Sequence, residues 1–189
     1  MFEPGAPLDT IYFPQTGVVS LLILTANGET LETTMVGREG AVGLQGGFGT
    51  RFSFTRAIAQ IGGRFTSVRA SRFAELVDGD AAIHSLLSRY TEVLLAEAQQ
   101  IAACNAVHSG ISRLARCLLQ SADRVGSDQL ALTQETLAEM LGVRRTTVTL
   151  LAQALKEKGL IRYSRGHILI TNRKNLEDCA CEWLPRRSS

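Results

Sequence analysis

No run in the chain approaches the roughly 18 consecutive apolar residues that a membrane-spanning helix needs, and Met1-Phe2-Glu3-Pro4 lacks the basic-then-apolar opening of a secretory signal. The expectation is a cytoplasmic protein with no membrane partner. Cysteine is sparse. Cys104, Cys117, Cys179 and Cys181 form neither a C-x-x-C pair nor the dense spacing of a disulfide scaffold, so reduced thiols are expected. Cys179-x-Cys181 lacks matching partners at ligand spacing, and no metal is expected. Catalytic signals are missing too. His84, His108 and His167 are scattered, none with an acidic partner nearby in sequence, and the glycine-rich stretch Gly37 to Gly49 is neither a Walker motif nor a GxGxxG turn. Nothing points to an enzyme.

What is present suits a globular protein of one large or two small domains: 189 residues, 45% hydrophobic and 20% charged. The net charge of +2 hides an asymmetry. Residues 1–141 carry 10 basic and 14 acidic side chains, a balance of −4, whereas residues 142–189 carry 10 and 4, a balance of +6. A basic block confined to one end favours a polyanionic partner there, although such blocks are more often solvated faces.

From Met1 to about Phe73 the chain reads as short strands separated by glycine-containing turns. Ile11-Tyr12-Phe13, Val18 to Leu24, Leu31 to Val36 and Arg56 to Ile61 are the β-branched and aromatic runs. Ala26-Asn27-Gly28-Glu29 supplies a hairpin turn between two of them. An antiparallel barrel or jelly roll is expected. The period then changes: from about Asp80 to His108, Ile83, Leu87, Tyr90, Leu94, Ile101 and Cys104 follow steps near three and four, interrupted by Glu97. This long helix is read as a dimerisation helix, with Ile83, Leu87, Tyr90, Leu94 and Ile101 as its seam, the alternative being a helix packed on its own barrel. Ser109-Gly110 breaks it, and a further amphipathic stretch runs from Ile111 to near Gly126.

Leu132 to Leu155 reads as helix, turn, helix. Thr133 is an N-cap type, Leu137, Ala138 and Leu141 make a buried stripe, and Gly142 supplies the turn. Val143 plugs the space between helices, and Val148, Leu151, Ala152 and Leu155 give the second helix a core face. Its other face presents Arg145, Thr146 and Thr149, with Arg144 at its start. An arginine fork matches the O6 and N7 acceptors of guanine, and threonine bonds either strand or touches a thymine methyl. After Gly159, Leu160 to Tyr163 and His167 to Ile170 flank Ser164-Arg165-Gly166 as a wing, placing Arg165 and His167 for phosphate. The DNA-contacting set is thus Thr133, Gln134, Arg144, Arg145, Thr146, Thr147, Thr149, Arg165 and His167, supported by Lys156, Arg173 and Lys174. An ordinary helical hairpin with a solvated face is the bland alternative.

Leu132 to Ile170 resembles the winged helix-turn-helix of the Crp/Fnr bacterial regulators. Upstream, Tyr12 to Leu21 and Val36-Gly37-Arg38-Glu39-Gly40-Ala41-Val42-Gly43 resemble strands and the glycine-rich turn of that family's cyclic-nucleotide-binding-like barrel. The resemblance covers nearly the whole chain. It implies an α+β protein with an effector β-barrel over 1–78, a dimerisation helix over 79–108 and a winged helix-turn-helix over 109–189. It also implies a homodimer on an inverted-repeat operator, with RNA polymerase as a further partner. Arg145 matches the family's base-reading arginine, while Thr146 and Leu150 stand where cyclic-AMP-responsive members often have Glu and Arg. Leu44 follows Gly43 and Phe52 follows Arg51 where nucleotide-binding members have Gly-Glu and Arg-Ser pairs, so cyclic AMP and cyclic GMP are expected to bind negligibly and no cofactor is assigned. There is no N-terminal cysteine cluster for an iron-sulfur centre. The barrel opens abruptly at Tyr12-Phe13-Pro14, which suggests a trimmed N-terminus or a misassigned start. The competing function is a small-molecule sensor or adaptor whose helix-turn-helix contacts protein instead of DNA.

Overall fold

The computed structural model describes residues 1–164 and 166–181. Its N-terminal part is built on two small antiparallel sheets. Strands β1 (Thr10–Pro14), β2 (Val18–Leu24), β3 (Thr30–Val36), β4 (Arg56–Ile61) and β5 (Phe65–Arg69) pair as β3-β2-β4 and β1-β5. Isolated bridges Phe2–Ala57, Pro7–Phe52 and Tyr12–Val42 add further links in place of full strand closure. The β2–β3 hairpin turns at Gly28, whose φ of 80° is the left-handed conformation that Asn-Gly favours. A core of Val19, Val36, Val42 and Ala57 takes in Phe65 of β5, so side chains join the two sheets. A short helix α1 (Gln45–Phe48) ends the glycine-rich loop.

Helix α2 (Ala70–Gly79) follows β5 directly, bridging the end of the strand-rich stretch near Phe73 and the start of the long helix, where the sequence reading assigns no element. Asp80 then caps helix α3 (Ala81–Val107), its carboxylate accepting from the amides of Ala82 at 2.8 Å and Ile83 at 3.4 Å. This is the long helix expected from the period, but its expected seam is used within the chain. Leu87 and Ile101 are buried, while Ile83, Tyr90 and Leu94 are half-buried against the β-domain. Tyr90 is held hardest: its hydroxyl accepts from the Ala41 amide at 3.2 Å and lies back against the Ala41 carbonyl at 3.4 Å. Gly40 makes room for that hydroxyl, since a Cβ there would meet it at 2.0 Å. The apolar period is real; from Ile83 to Leu94 it faces the chain's own β-domain and α2. A different stripe stays uncovered: Leu86, Val93 and Val107, spaced by sevens with Gln100 between, are 57%, 55% and 75% exposed.

Helices α4 (Gly110–Val125), α5 (Gln134–Leu141), α6 (Arg145–Glu157) and α7 (Arg173–Cys179) surround the second, larger core with a three-stranded sheet of β6 (Gln129–Leu130), β7 (Ile161–Ser164) and β8 (His167–Ile170), ordered β6-β8-β7. Leu114, Leu118 and Leu119 of α4 are fully buried, each contributing on the order of 2 kcal/mol by transfer from water. Val18, Met35 and Ile61 of the β-domain join the same cluster, so the two halves share one apolar interface. A polar network lies in that interface. Buried Arg124 of α4 pairs with Glu39 at 2.9 Å and Glu97 of α3 at 2.6 Å, Glu97 accepts from Thr34 at 2.8 Å, and Glu32 accepts from Ser20. Burial opposes the Arg124 charge, but Glu97 and Glu39 outweigh it and hold the guanidinium above its ordinary pKa.

Candidate nucleic-acid interface

The helix-turn-helix is assembled by local rules first. Thr133 Oγ1 accepts from the Thr136 amide at 3.1 Å and caps α5. Gly142 ends α5 at φ 62°, the left-handed conformation where a Cβ is disfavoured, and a Cβ there would also run into Leu31 of the β2–β3 hairpin at 2.6 Å. Val143 is half-buried between the helices, and Val148, Ala152 and Leu155 bury the inner face of α6. Arg113 of α4 donates to the Leu141 carbonyl and fixes the turn from behind.

Packing the inner face leaves Arg144, Arg145, Thr146, Thr149 and Leu150 exposed on the outer one. Thr149 Oγ1 is engaged with Gln134 Oε1 at 3.0 Å and with the Arg145 carbonyl at 3.1 Å, which ties the start of α5 to α6. Arg145 lies 3.9 Å from Glu135, both side chains about two-thirds exposed. A pair so long and so hydrated is worth little, and it leaves the guanidinium free to reach a stronger acceptor. Thr147 is half-buried, facing with Arg144 and Glu139 a cleft of about 710 Å³ whose far wall is Gly28, Glu29 and Thr30.

The wing forms as expected, with Ser164 opposite His167, Gly166 at φ 83° and an exposed His167. Arg165 lies outside the described residues. The Thr133 methyl stands 3.4 Å from where a Gly166 Cβ would be, so the wing tip abuts the start of α5. Strand β6, which extends the wing sheet to three strands, escapes sequence reading because two residues give no period to read. Among the expected supporting cations Arg173 is a correction. It pairs with Asp123, with Asp128 at 3.2 Å and with Glu177 at 3.1 Å, fastening α7 to α4. Three carboxylates around one guanidinium leave little positive field for phosphate.

Residues 112–179 match the family model of the Crp-like helix-turn-helix domain. Solved structures match nearly the full length. A CRP/FNR-family transcriptional regulator from Thermus thermophilus is 26% identical with a TM-score of 0.76, over 95% of this chain and 93% of that one. Residues 112–179 are thus a Crp-like helix-turn-helix domain, and the chain as a whole has the fold of CRP/FNR-family regulators. FixK2 from Bradyrhizobium japonicum (19% identity, TM-score 0.82, 97% and 93% covered) and a second CRP-family regulator from Thermus thermophilus (19%, 0.80, 98% and 94%) share the Crp/Fnr fold. No curated protein sequence matches.

The Crp/Fnr barrel raises the question of a cyclic nucleotide, and the residues here do not fit one. Leu44 is part of the core at 5% exposed. Arg51 lines a neighbouring recess with Asp9 and Arg69 and does not line the cavity between the β-domain and α3. Among the described residues no charged side chain lines that cavity, so a phosphate would enter it without a counter-charge from them. Among the described residues no helix is long and apolar enough to cross a membrane, and no three His, Cys, Asp or Glu side chains gather as a metal site.

Proposed function

We propose that this chain of Crp/Fnr fold is a sequence-specific DNA-binding transcriptional regulator that acts as a homodimer on an inverted-repeat operator. Residues 109–189 act as the reading domain, 79–108 as the dimerisation helix and 1–78 as the effector domain. The observation that carries the reading is the two-sidedness of α6: its inner face is locked by Val148, Ala152 and Leu155, and its outer face offers Arg144, Arg145, Thr146 and Thr149 to solvent. A rigid helix with arginine and threonine on the free face suits readout of base edges in a major groove. Thr133 and Gln134 at the start of α5, with Arg165 and His167 of the wing, serve as flanking phosphate contacts.

The dimer seam in this reading is the uncovered stripe Leu86, Val93 and Val107, not the residues that α3 spends on its own sheets. Exposed apolar residues at three of four heptad positions, with Gln100 at the fourth, match a helix that pairs with a second copy of itself. The test is selection of bound DNA from a random pool. The expected product is an inverted repeat with half-site centres one helical turn, about 34 Å, apart, bound with a steep loss of affinity as salt rises. Recovery of no enriched sequence, or salt-insensitive binding, would favour a protein-contacting adaptor.

A further inference from the structure

The geometry points to the cavity between the β-domain and α3 as a binding site for a small, uncharged, apolar molecule with an aromatic or alkyl body. The inference rests on the regulator reading, for which it names the effector class.

The cavity has a volume of about 250 Å³, just below the roughly 300–1,000 Å³ range of drug-sized ligand pockets and so suited to a smaller molecule. Its walls include Phe2, Leu21, Val42, Phe52, Leu94 and Leu95. The hydroxyls on its lining are largely committed elsewhere: Thr34 donates to Glu97, Ser53 to the Thr55 carbonyl and Thr91 to the Leu87 carbonyl. A ligand would find apolar surface and few groups to satisfy a charge, which selects against nucleotides and for neutral hydrocarbon bodies. The rim strengthens the case. Phe48, Phe52, Phe54 and Leu95 are 42%, 58%, 75% and 58% exposed, and all four line this one cavity. Large apolar side chains clustered in the open around a concavity mark a binding surface, whereas scattered ones do not.

The site also touches the helix proposed for dimerisation. Thr91, Leu94 and Leu95 bring α3 into the wall, and the same helix carries Leu86 and Val93 on its uncovered stripe. An occupant pressing on α3 therefore acts on the element that the dimer needs. Differential affinity for two settings of α3 is all that regulation by such a ligand requires.

The test uses the full chain and N-phenylnaphthylamine, an uncharged dye that fluoresces in apolar surroundings. One saturable site per chain is expected, displaced by indole and not by cyclic AMP. Two variants place it: Phe52→Ser removes an exposed wall of the rim, and Thr91→Trp fills the cavity from an exposed helix position, so both should fold. Each is expected to weaken the dye by about tenfold, equivalent to about 1.4 kcal/mol. No saturable binding, or equal binding by both variants, would overturn the proposal. So would a change of oligomeric state on Phe52→Ser with dye binding retained, because the rim would then be a subunit contact. DNA selection run in parallel separates the two readings: enrichment without dye binding removes only the ligand site, and dye binding without enrichment removes only the regulator.

Discussion

Arg124 of α4 lies 2.6 Å from Glu97 of α3, and this ion pair joins the helix-turn-helix half to the long helix inside a buried interface. Glu97 is itself held by Thr34 of β3, and Arg124 also reaches Glu39 of the glycine-rich loop. The glycine-rich loop and α3 thus meet on one guanidinium of α4, and β3 is tied in through Glu97.

Removing that guanidinium leaves carboxylates in a site they cannot easily leave. Arg124→Met is expected to cost about 3 kcal/mol, the usual scale for orphaning a buried partner, read as a lowered midpoint in urea unfolding. Glu97→Gln should cost less, because the amide keeps an acceptor for Thr34 and Glu39 still faces Arg124. Equal midpoints for Arg124→Met and wild type would show that the interface holds without the network.

Glu32 gives the interface a pH dependence. Burial pushes its carboxyl from the ordinary 4.5 up to about 7, against the lowering influence of Ser20, Arg124 and Arg116. A carboxyl raised on folding is protonated in the native state over a range where the unfolded chain has released the proton. Its contribution is therefore fully present below pH 4.5 and is lost as pH rises through about 7. The size is on the order of 3 kcal/mol. Glu32→Gln keeps an acceptor for Ser20 and cannot ionise, so its stability relative to wild type should climb between about pH 5 and about pH 7.5. A difference that stays flat with pH would place the buried proton elsewhere.

The two stripes of α3 predict opposite phenotypes. Leu86→Glu with Val93→Glu changes only exposed positions and should yield folded monomers in sedimentation. Leu87→Ala, one residue along, empties an internal site and should cost about 2–4 kcal/mol with assembly intact in the fraction that folds. Monomers from Leu87→Ala and dimers from the double variant would return the seam to the residues that the period alone suggests.

These elements also show what the sequence made legible. Caps and turns act through neighbours, so Thr133, Gly142 and the wing turn at Gly166 could be read residue by residue, and the split of α6 into a buried and an exposed face followed from its period. Helix α2 was readable as well, since Ala70, Phe73, Ala74 and Val77 stand at i, i+3, i+4 and i+7, but the surrounding strand signals masked it. Two things were out of reach. Periodicity shows that α3 has an apolar stripe, not which partner covers it. Pairs such as Arg124 with Glu97 or Arg173 with Asp123 join side chains 27 and 50 positions apart, and no local pattern marks a charge for such use.

Arg145 and Arg173 look alike in sequence and should behave differently on DNA. Arg145 is exposed on the outer face of α6, and its contact to Glu135 is long and hydrated. In a major groove its fork should bond O6 and N7 of a guanine, so Arg145→Ala should cost about 1–3 kcal/mol per half-site and relax preference at one base-pair position. Fold stability should barely move, since an exposed pair of this kind contributes little. Arg173 is already shared among Asp123, Asp128 and Glu177. Arg173→Ala should lower the thermal midpoint by releasing α7 from α4, while the base preference of the folded protein and the salt slope of its binding stay as in wild type. Titrations on operator and scrambled DNA at several salt concentrations, paired with thermal unfolding, separate the two arginines. If Arg145→Ala kept both affinity and base preference, α6 would not be the reading helix, and its exposed arginines would belong to a protein-contacting surface.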